Sequence, residues 1–200
     1  MSRIYLYGAG GHAKVVAEIA EQAGFEELVF VEDSVTKITV WNYPVVSKVK
    51  KEEKCVLAVG NNAIRKKMAN DLDQLFVSLI HLSSNISNRA KIGEGTVIMA
   101  GVSINTDVGI GKHCIINTNA SIDHECVIGD YVHLSPNVAL AGAVKIGEGT
   151  HIGIGACVIQ GIEIGEWCTI GAGSVIIRDV PNGATVVGNP GRIIKIQDKE

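Results

Sequence analysis

A histidine set between two carboxylates, Asp123-His124-Glu125, is the arrangement in this 200-residue sequence best suited to moving a proton. A carboxylate beside an imidazole can hold its orientation and raise its basicity, so His124 is a candidate general base. Gly142 stands eighteen residues further on, and its bare backbone N–H could lie close enough to stabilise an oxyanion. His133 and His151 are also eighteen apart, but a zinc site needs three converging imidazoles and no third histidine has a matching spacing. No metal is therefore expected. Five cysteines is an odd number, and their spacings fit neither a zinc nor a thioredoxin pattern, which points to free thiols.

A second constellation lies near the amino end. Ile4 to Tyr7 reads as a short strand that runs into Gly8-x-Gly10-x-x-Ala13, with Glu32 about twenty residues on, as in dinucleotide folds. Backbone N–H groups at such a helix start could cradle a pyrophosphate, and His12 could donate to a phosphate. The competing reading is a tight strand-to-helix turn with no ligand. A sugar nucleotide, with one nucleoside and a pyrophosphate, suits so small a domain better than NAD does.

The elements that position these groups follow from periodicity. From Ile80, every sixth residue through Ile176 is aliphatic, seventeen positions without a slip. Gly93, Gly111, Gly129, Gly147 and Gly165 add a period of eighteen, so three hexads make one coil of a triangular prism. These glycines are expected at corners that need unusual φ/ψ. Two residues before each rung sits a small or β-branched residue, facing the same way and therefore interior. Cys114, Cys126 and Cys168 belong to this set and read as packing. His124 then falls near a corner, and His133 and His151 face outward.

Residues 1–78 alternate strands with helices: Val15, Val16, Ile19 and Ala20 on one helix, strands at Leu28–Val31 and Cys55–Val59, and a charged helix with Arg65, Lys66 and Lys67. A last strand is expected at Phe76–Leu79. The chain thus divides into an α/β Rossmann-like half domain (1–78), a hexapeptide-repeat β-helix (79–180) and a C-terminal cap or tail (181–200). Eighteen basic against 21 acidic residues, with no basic stripe, argue against nucleic acid or an anionic membrane as partner. No apolar run is long enough to span a bilayer and the amino end does not read as a signal peptide, so a cytoplasmic protein is expected.

Several segments together resemble the sialic-acid O-acetyltransferase and bacillosamine N-acetyltransferase family of left-handed β-helix sugar acyltransferases. They are Tyr7-Gly8-Ala9-Gly10-Gly11-His12, Phe30-Val31-Glu32-Asp33, Ala58-Val59-Gly60-Asn61-Asn62, Asn117-Thr118, Asp123-His124-Glu125-Cys126 with His133, Ala141-Gly142 and Val187-Gly188-Asn189-Pro190. The resemblance implies left-handed coiling, a homotrimer with sites between prisms, and acetyl-CoA as the acyl donor. It implies that His124 deprotonates the acceptor, that Glu125 increases its basicity, that Asn117 orders the site, and that the Gly142 amide faces the thioester carbonyl. His133, Ile154 and Ala172 fall where the family contacts acetyl-CoA. Gly10, Gly11, His12, Glu32, Asp33, Gly60 and Asn61 fall where it holds the sugar nucleotide. The second strand ends Glu-Asp here, whereas two aspartates are common in relatives that grip uracil. The expected reaction is acetylation of the amine of a nucleotide-linked amino sugar, a UDP-linked 4-amino-4,6-dideoxy sugar, in surface glycan biosynthesis. O-acetylation of a sialic acid or other sugar hydroxyl, and a non-catalytic sugar-nucleotide-binding scaffold, are the alternatives.

Overall fold

The six-residue period becomes seventeen two-residue strands, from Leu79–Ile80 (β7) to Val175–Ile176 (β23), in a computed structural model that describes residues 2–34 and 38–197. The last residues of the expected tail, 198–200, lie outside the described residues. Every prism strand pairs in parallel with the strand eighteen residues away, as Ile98↔Ile116 and Ile116↔Leu134 do on the first face. Three sheets result, one per face. The rungs point inward with the small residues between them, and Ile98 through Ile176 form one continuous core. Truncating one such rung to alanine typically costs about 2–5 kcal/mol. The lowest rungs are less covered: Ile86 and Ile92 are partly buried, and Ile80, at the open end of the stack, is 40% exposed.

The eighteen-residue glycines have a different cause from the one expected. None of the five has a positive φ. Coils approach so closely at this corner that a Cβ on Gly93 would stand 2.5 Å from the Gly111 carbonyl carbon, and one on Gly147 2.5 Å from the Glu166 amide. The left-handed residue is instead the third after each rung from Ile92 to Ile170, and it is often not glycine: Asp107, His113, Asn119, Glu125, Tyr131, Asn137, Ala143 and Trp167 all take it.

The α/β part comprises Arg3–Tyr7 (β1), Gly11–Gln22 (α1), Glu27–Val31 (β2), Thr39–Val40 (β3), Tyr43–Val46 (β4), Lys54–Leu57 (β5), Asn62–Asp71 (α2) and Leu75–Phe76 (β6). Its sheet runs β3-β4-β2-β1-β5-β6, parallel except for the β3–β4 hairpin. That hairpin has no periodic signal because its strands are only two and four residues long. The strand expected at 76–79 divides: Leu75–Phe76 completes this sheet and Leu79–Ile80 opens the prism. Val15 is exposed, while Ala13, Val16, Ala17, Ile19 and Ala20 bury the inner side of α1. This side packs with Leu79, Val97, Met99 and Ile115 on the outside of the first prism face. The outward row on that face is therefore apolar under α1 and turns polar above it, at His133, His151 and Thr169.

Beyond Val180, Ala184–Val187 (β24) pairs in parallel with Thr169–Ile170 and extends the first face, and Arg192–Ile196 (β25) folds back antiparallel on it. Among the described residues, no helix is long and apolar enough to cross a membrane.

Cys55, Cys114, Cys126 and Cys168 are buried and Cys157 is exposed. Burial pushes the Cys55 and Cys114 thiols up to about 12. Native protein treated with Ellman's reagent should release colour rapidly from one thiol, lost in Cys157→Ser, with the rest reacting only after unfolding.

Candidate active site

The corner between the second and third faces carries His124. Asp123 fixes the backbone there: one carboxylate oxygen accepts the His124 N–H at 2.8 Å and the Asn105 side-chain amide, one coil below, at 2.7 Å. These two bonds, Asn105 first, hold the Asp123 carboxyl below its ordinary range. Glu125, not Asp123, touches the ring, with 3.0 Å between its carboxylate and His124 Nδ1. A carboxylate accepts, so Nδ1 carries the hydrogen and Nε2 presents a lone pair. The His124 side chain is 52% exposed. Its ring lies across Gly142 on the next coil, where a Cβ would stand 2.5 Å from Cε1. The Gly142 carbonyl accepts the Gly161 N–H at 3.0 Å, while among the described residues no protein acceptor takes its own N–H. A base with a free lone pair and an unspent amide donor thus sit side by side, as a deprotonation coupled to developing oxyanion charge requires.

The second group lies on the first face and the corner after it, one full hexad from His124. Asn117 Oδ1 accepts the Thr118 N–H at 2.8 Å, so its NH₂ donates to His133 Nε2 at 3.2 Å. His133 stacks on His151, ring centres 4.9 Å apart, and Ser135 Oγ bonds His151 Nε2 at 2.8 Å. Burial, then the neighbouring His151, Arg65 and His12, hold His133 down to about 3. Burial and Arg65 lower His151 as well. Ile154, 52% exposed, and the exposed Ala172 stand along the same corner on higher coils.

The third group belongs to the α/β sheet. Gly8 has φ +120°, and a Cβ there would lie 2.8 Å from the Ala58 carbonyl oxygen, so this glycine is needed for packing whatever binds. Gly10 and Gly11 open α1 with no side-chain cap and no acidic residue in the first turn. The amide donors there remain available to an anion. Glu32 and Asp33, at the end of β2, line an open cleft of about 450 Å³ with Tyr7, Gly8, Ser34 and Met68. Gly60 and Asn61 border a separate groove of about 360 Å³ that also touches His151 and Trp167. Asn61 Oδ1 caps α2 by accepting the Ile64 N–H at 2.9 Å. His12 Nε2 is buried and unpartnered, and burial followed by Arg65 brings this imidazole down to about 4.

Arg65, on the charged helix, is 1% exposed. Its position three residues into α2 held no signal of this, since the prism carbonyls it meets are 48 and 66 residues away. His113 likewise is buried, stacked on Tyr131 and edge-on to Phe76. Among the described residues, no three His, Cys, Asp or Glu side chains are grouped to hold a metal ion.

Comparison with known proteins finds likenesses in both parts of the chain. Residues 3–72 match the PglD N-terminal domain, and residues 143–178 match the bacterial transferase hexapeptide (six repeats). The UDP-N-acetylbacillosamine N-acetyltransferase of Bacillus subtilis (strain 168) is 43% identical over 113 residues, 50% of this chain and 52% of that protein; the matched region spans about half the length of this curated relative. The acetyltransferase domain of PglB from Neisseria gonorrhoeae, solved with acetyl coenzyme A, superposes with TM-score 0.90 at 38% identity, covering 96% of this chain and 98% of that one. A mutant of the GDP-perosamine N-acetyl transferase of Caulobacter crescentus, solved with CoA and GDP-perosamine, gives 0.89 at 36% identity over 98% of each chain.

An imidazole whose folded pKa lies below its ordinary 6.5 binds a proton more readily in the unfolded chain. The stability that His12 and His133 contribute is therefore complete above about pH 6.5 and is lost as pH falls toward about 4 and 3. The thermal midpoint should drop by several degrees between pH 7 and pH 4.5, and His133→Gln should flatten that drop. Equal pH profiles for the two proteins would contradict the assignment.

Proposed function

Since this chain belongs to the bacillosamine N-acetyltransferase family, an α/β domain joined to a left-handed hexapeptide β-helix, we propose that it moves an acetyl group from acetyl-CoA to the amine of a nucleotide-linked amino sugar. The observation that carries this is His124 held at Nδ1 by Glu125, with Nε2 free beside the unpartnered Gly142 amide. His124 Nε2 takes the proton of the attacking amine as its nitrogen bonds to the acetyl carbon. The Gly142 N–H stabilises the carbonyl oxygen as charge grows on it. Acetyl-CoA supplies the activated thioester; as the C–S bond breaks, His124 returns the proton to the departing thiolate. No residue need be acylated.

His133, Ile154 and Ala172 are read as the acetyl-CoA surface. The exposed Ile154 offers apolar contact, and the Asn117–His133 pair is a neutral wall that repels no phosphate. These groups lie a full face away from His124 on the same prism. A second copy would have to bring the corner of one prism to the face of its neighbour, which supports a homotrimer with sites between prisms. Gly10, Gly11 and His12 at the α1 start are read as the pyrophosphate site, and Glu32 and Asp33 as the nucleoside end. Gly60 and Asn61 are read as its wall nearer the prism. The acceptor is taken as a UDP-linked 4-amino-4,6-dideoxy sugar, the pathway as surface glycan biosynthesis, and the compartment as the cytoplasm.

Thiol release from acetyl-CoA, measured with UDP-amino sugars, GDP-amino sugars and sialic acids, tests the acceptor class. Turnover on sialic acids alone would shift the reading to O-acetylation, and none with any acceptor would leave a binding scaffold. His124→Ala should lose about 10²–10⁴ in rate with the prism still folded, the usual effect of removing a general base; near-normal turnover would sink the role. Gly142→Ala should displace the ring it would strike and cost about 10²-fold in kcat, as small misplacements at a reacting centre do.

A further inference from the structure

Arg65 is a buried cation without a carboxylate among its partners. A guanidinium has five N–H groups, and all five are used here. Nε donates to the His113 carbonyl at 2.7 Å. Nη1 donates to the Val59 and Gly60 carbonyls at 3.0 and 3.3 Å. Nη2 donates to Asn62 Oδ1 at 2.9 Å and to the Tyr131 carbonyl at 2.8 Å. His113 and Tyr131 are eighteen apart, at one corner on successive coils. Val59 and Gly60 belong to the turn between β5 and α2, and Asn62 opens α2. One planar group is thus bonded to both sides of the seam between the α/β sheet and the prism.

That seam is also the origin of a groove. Its one wall is Gly60, Asn61, Asn62 and Ala63, and its other is Gly149, His151 and Trp167 on the prism. Asn62 reaches across its base as well, its amide donating to the Gly149 carbonyl at 3.0 Å. Taking a cation out of water is costly, and an apolar side chain of similar volume often stabilises a buried site equally well. Stability therefore gives no reason for an arginine here. Rigid spacing does, because only a flat fork with fixed N–H directions can set five acceptors at once.

We propose that Arg65 is a positioning residue: it fixes the Val59–Asn62 turn against the prism, sets the width of the groove between them, and so governs acceptor binding. This rests on the acetyltransferase reading above for its kinetic consequence, though not for its structural one. The charge acts in the same place: burial, and after it Arg65 among further causes, lowers the imidazoles of His12, His133 and His151.

Lysine supplies three donors from a single point and cannot span these five acceptors, so Arg65→Lys tests geometry with charge retained, and Arg65→Gln removes both. In each, KM for the sugar nucleotide should rise about tenfold or more, as losing hydrogen bonds to a charged group does. The KM for acetyl-CoA and kcat should stay within about threefold. Asn62→Ala, which removes one acceptor at the rim, should shift the same KM in the same direction by less, and it decides the matter if the Arg65 variants do not fold. Lys66→Met is the control for simple tethering. It breaks the half-buried Lys66–Glu148 pair and should leave every constant within about twofold. Amide hydrogen exchange at Val59–Asn62 should quicken in the Arg65 and Asn62 variants and not in Lys66→Met. An unchanged acceptor KM in Arg65→Gln and Asn62→Ala, or the same rise in Lys66→Met, overturns the proposal. Absence of turnover in the wild-type protein would sink the acetyltransferase reading instead, and the exchange measurement would still judge the clamp.

Discussion

Each coil of this protein can satisfy its backbone only through the coils above and below it. Two-residue strands leave no room for internal hydrogen bonds, so a strand amide donates to a carbonyl seventeen residues further on, in the next coil, as Val97 does to Cys114 and Ile115 to Val132. An insertion of one residue in any hexad would turn a rung outward and break the ladder on every later coil. The unbroken run from Ile86 to Ile176 and the glycine column at one corner are both consequences of that stacking. The residues of the candidate site stand where side chains are not committed to the core, at corners and in outward-facing positions.

Chemistry on such a scaffold is built between coils. His124 occupies one coil, the glycine under its ring the next, and the Asn105 that braces Asp123 the one before. The same holds on the first face, where His133 stacks on His151 and bonds Asn117. The prism contributes spacing that a flexible loop could not hold, because shifting any member means breaking the ladder. The α/β domain has no such ladder to join. Its attachment comes from an apolar patch under α1 and from Arg65, a guanidinium bonded to two coils and to the turn that begins α2.

Much of the candidate site was legible because its residues stand at fixed offsets from the rungs. The offset put His124 at a corner and Gly142 one coil away, and it assigned three cysteines to the interior, where they lie. The division of labour between Asp123 and Glu125 was not legible. Both flank the histidine, and only the left-handed φ of 60° at Glu125 accompanies the carboxylate that meets the ring. The glycine column was located correctly for the wrong reason, since positive φ and close approach leave the same mark in a sequence.

By itself, the sequence determined the repeat, the sense of each side chain in it and the glycine-rich strand-to-helix turn, all of which are local or strictly periodic. The tertiary structure decided what no period encodes: that Arg65 is buried, that His113 packs instead of reacting, and that the Gly60 turn faces His151. Each of these depends on partners some forty to ninety residues distant, brought together where a domain without periodicity meets one that has it.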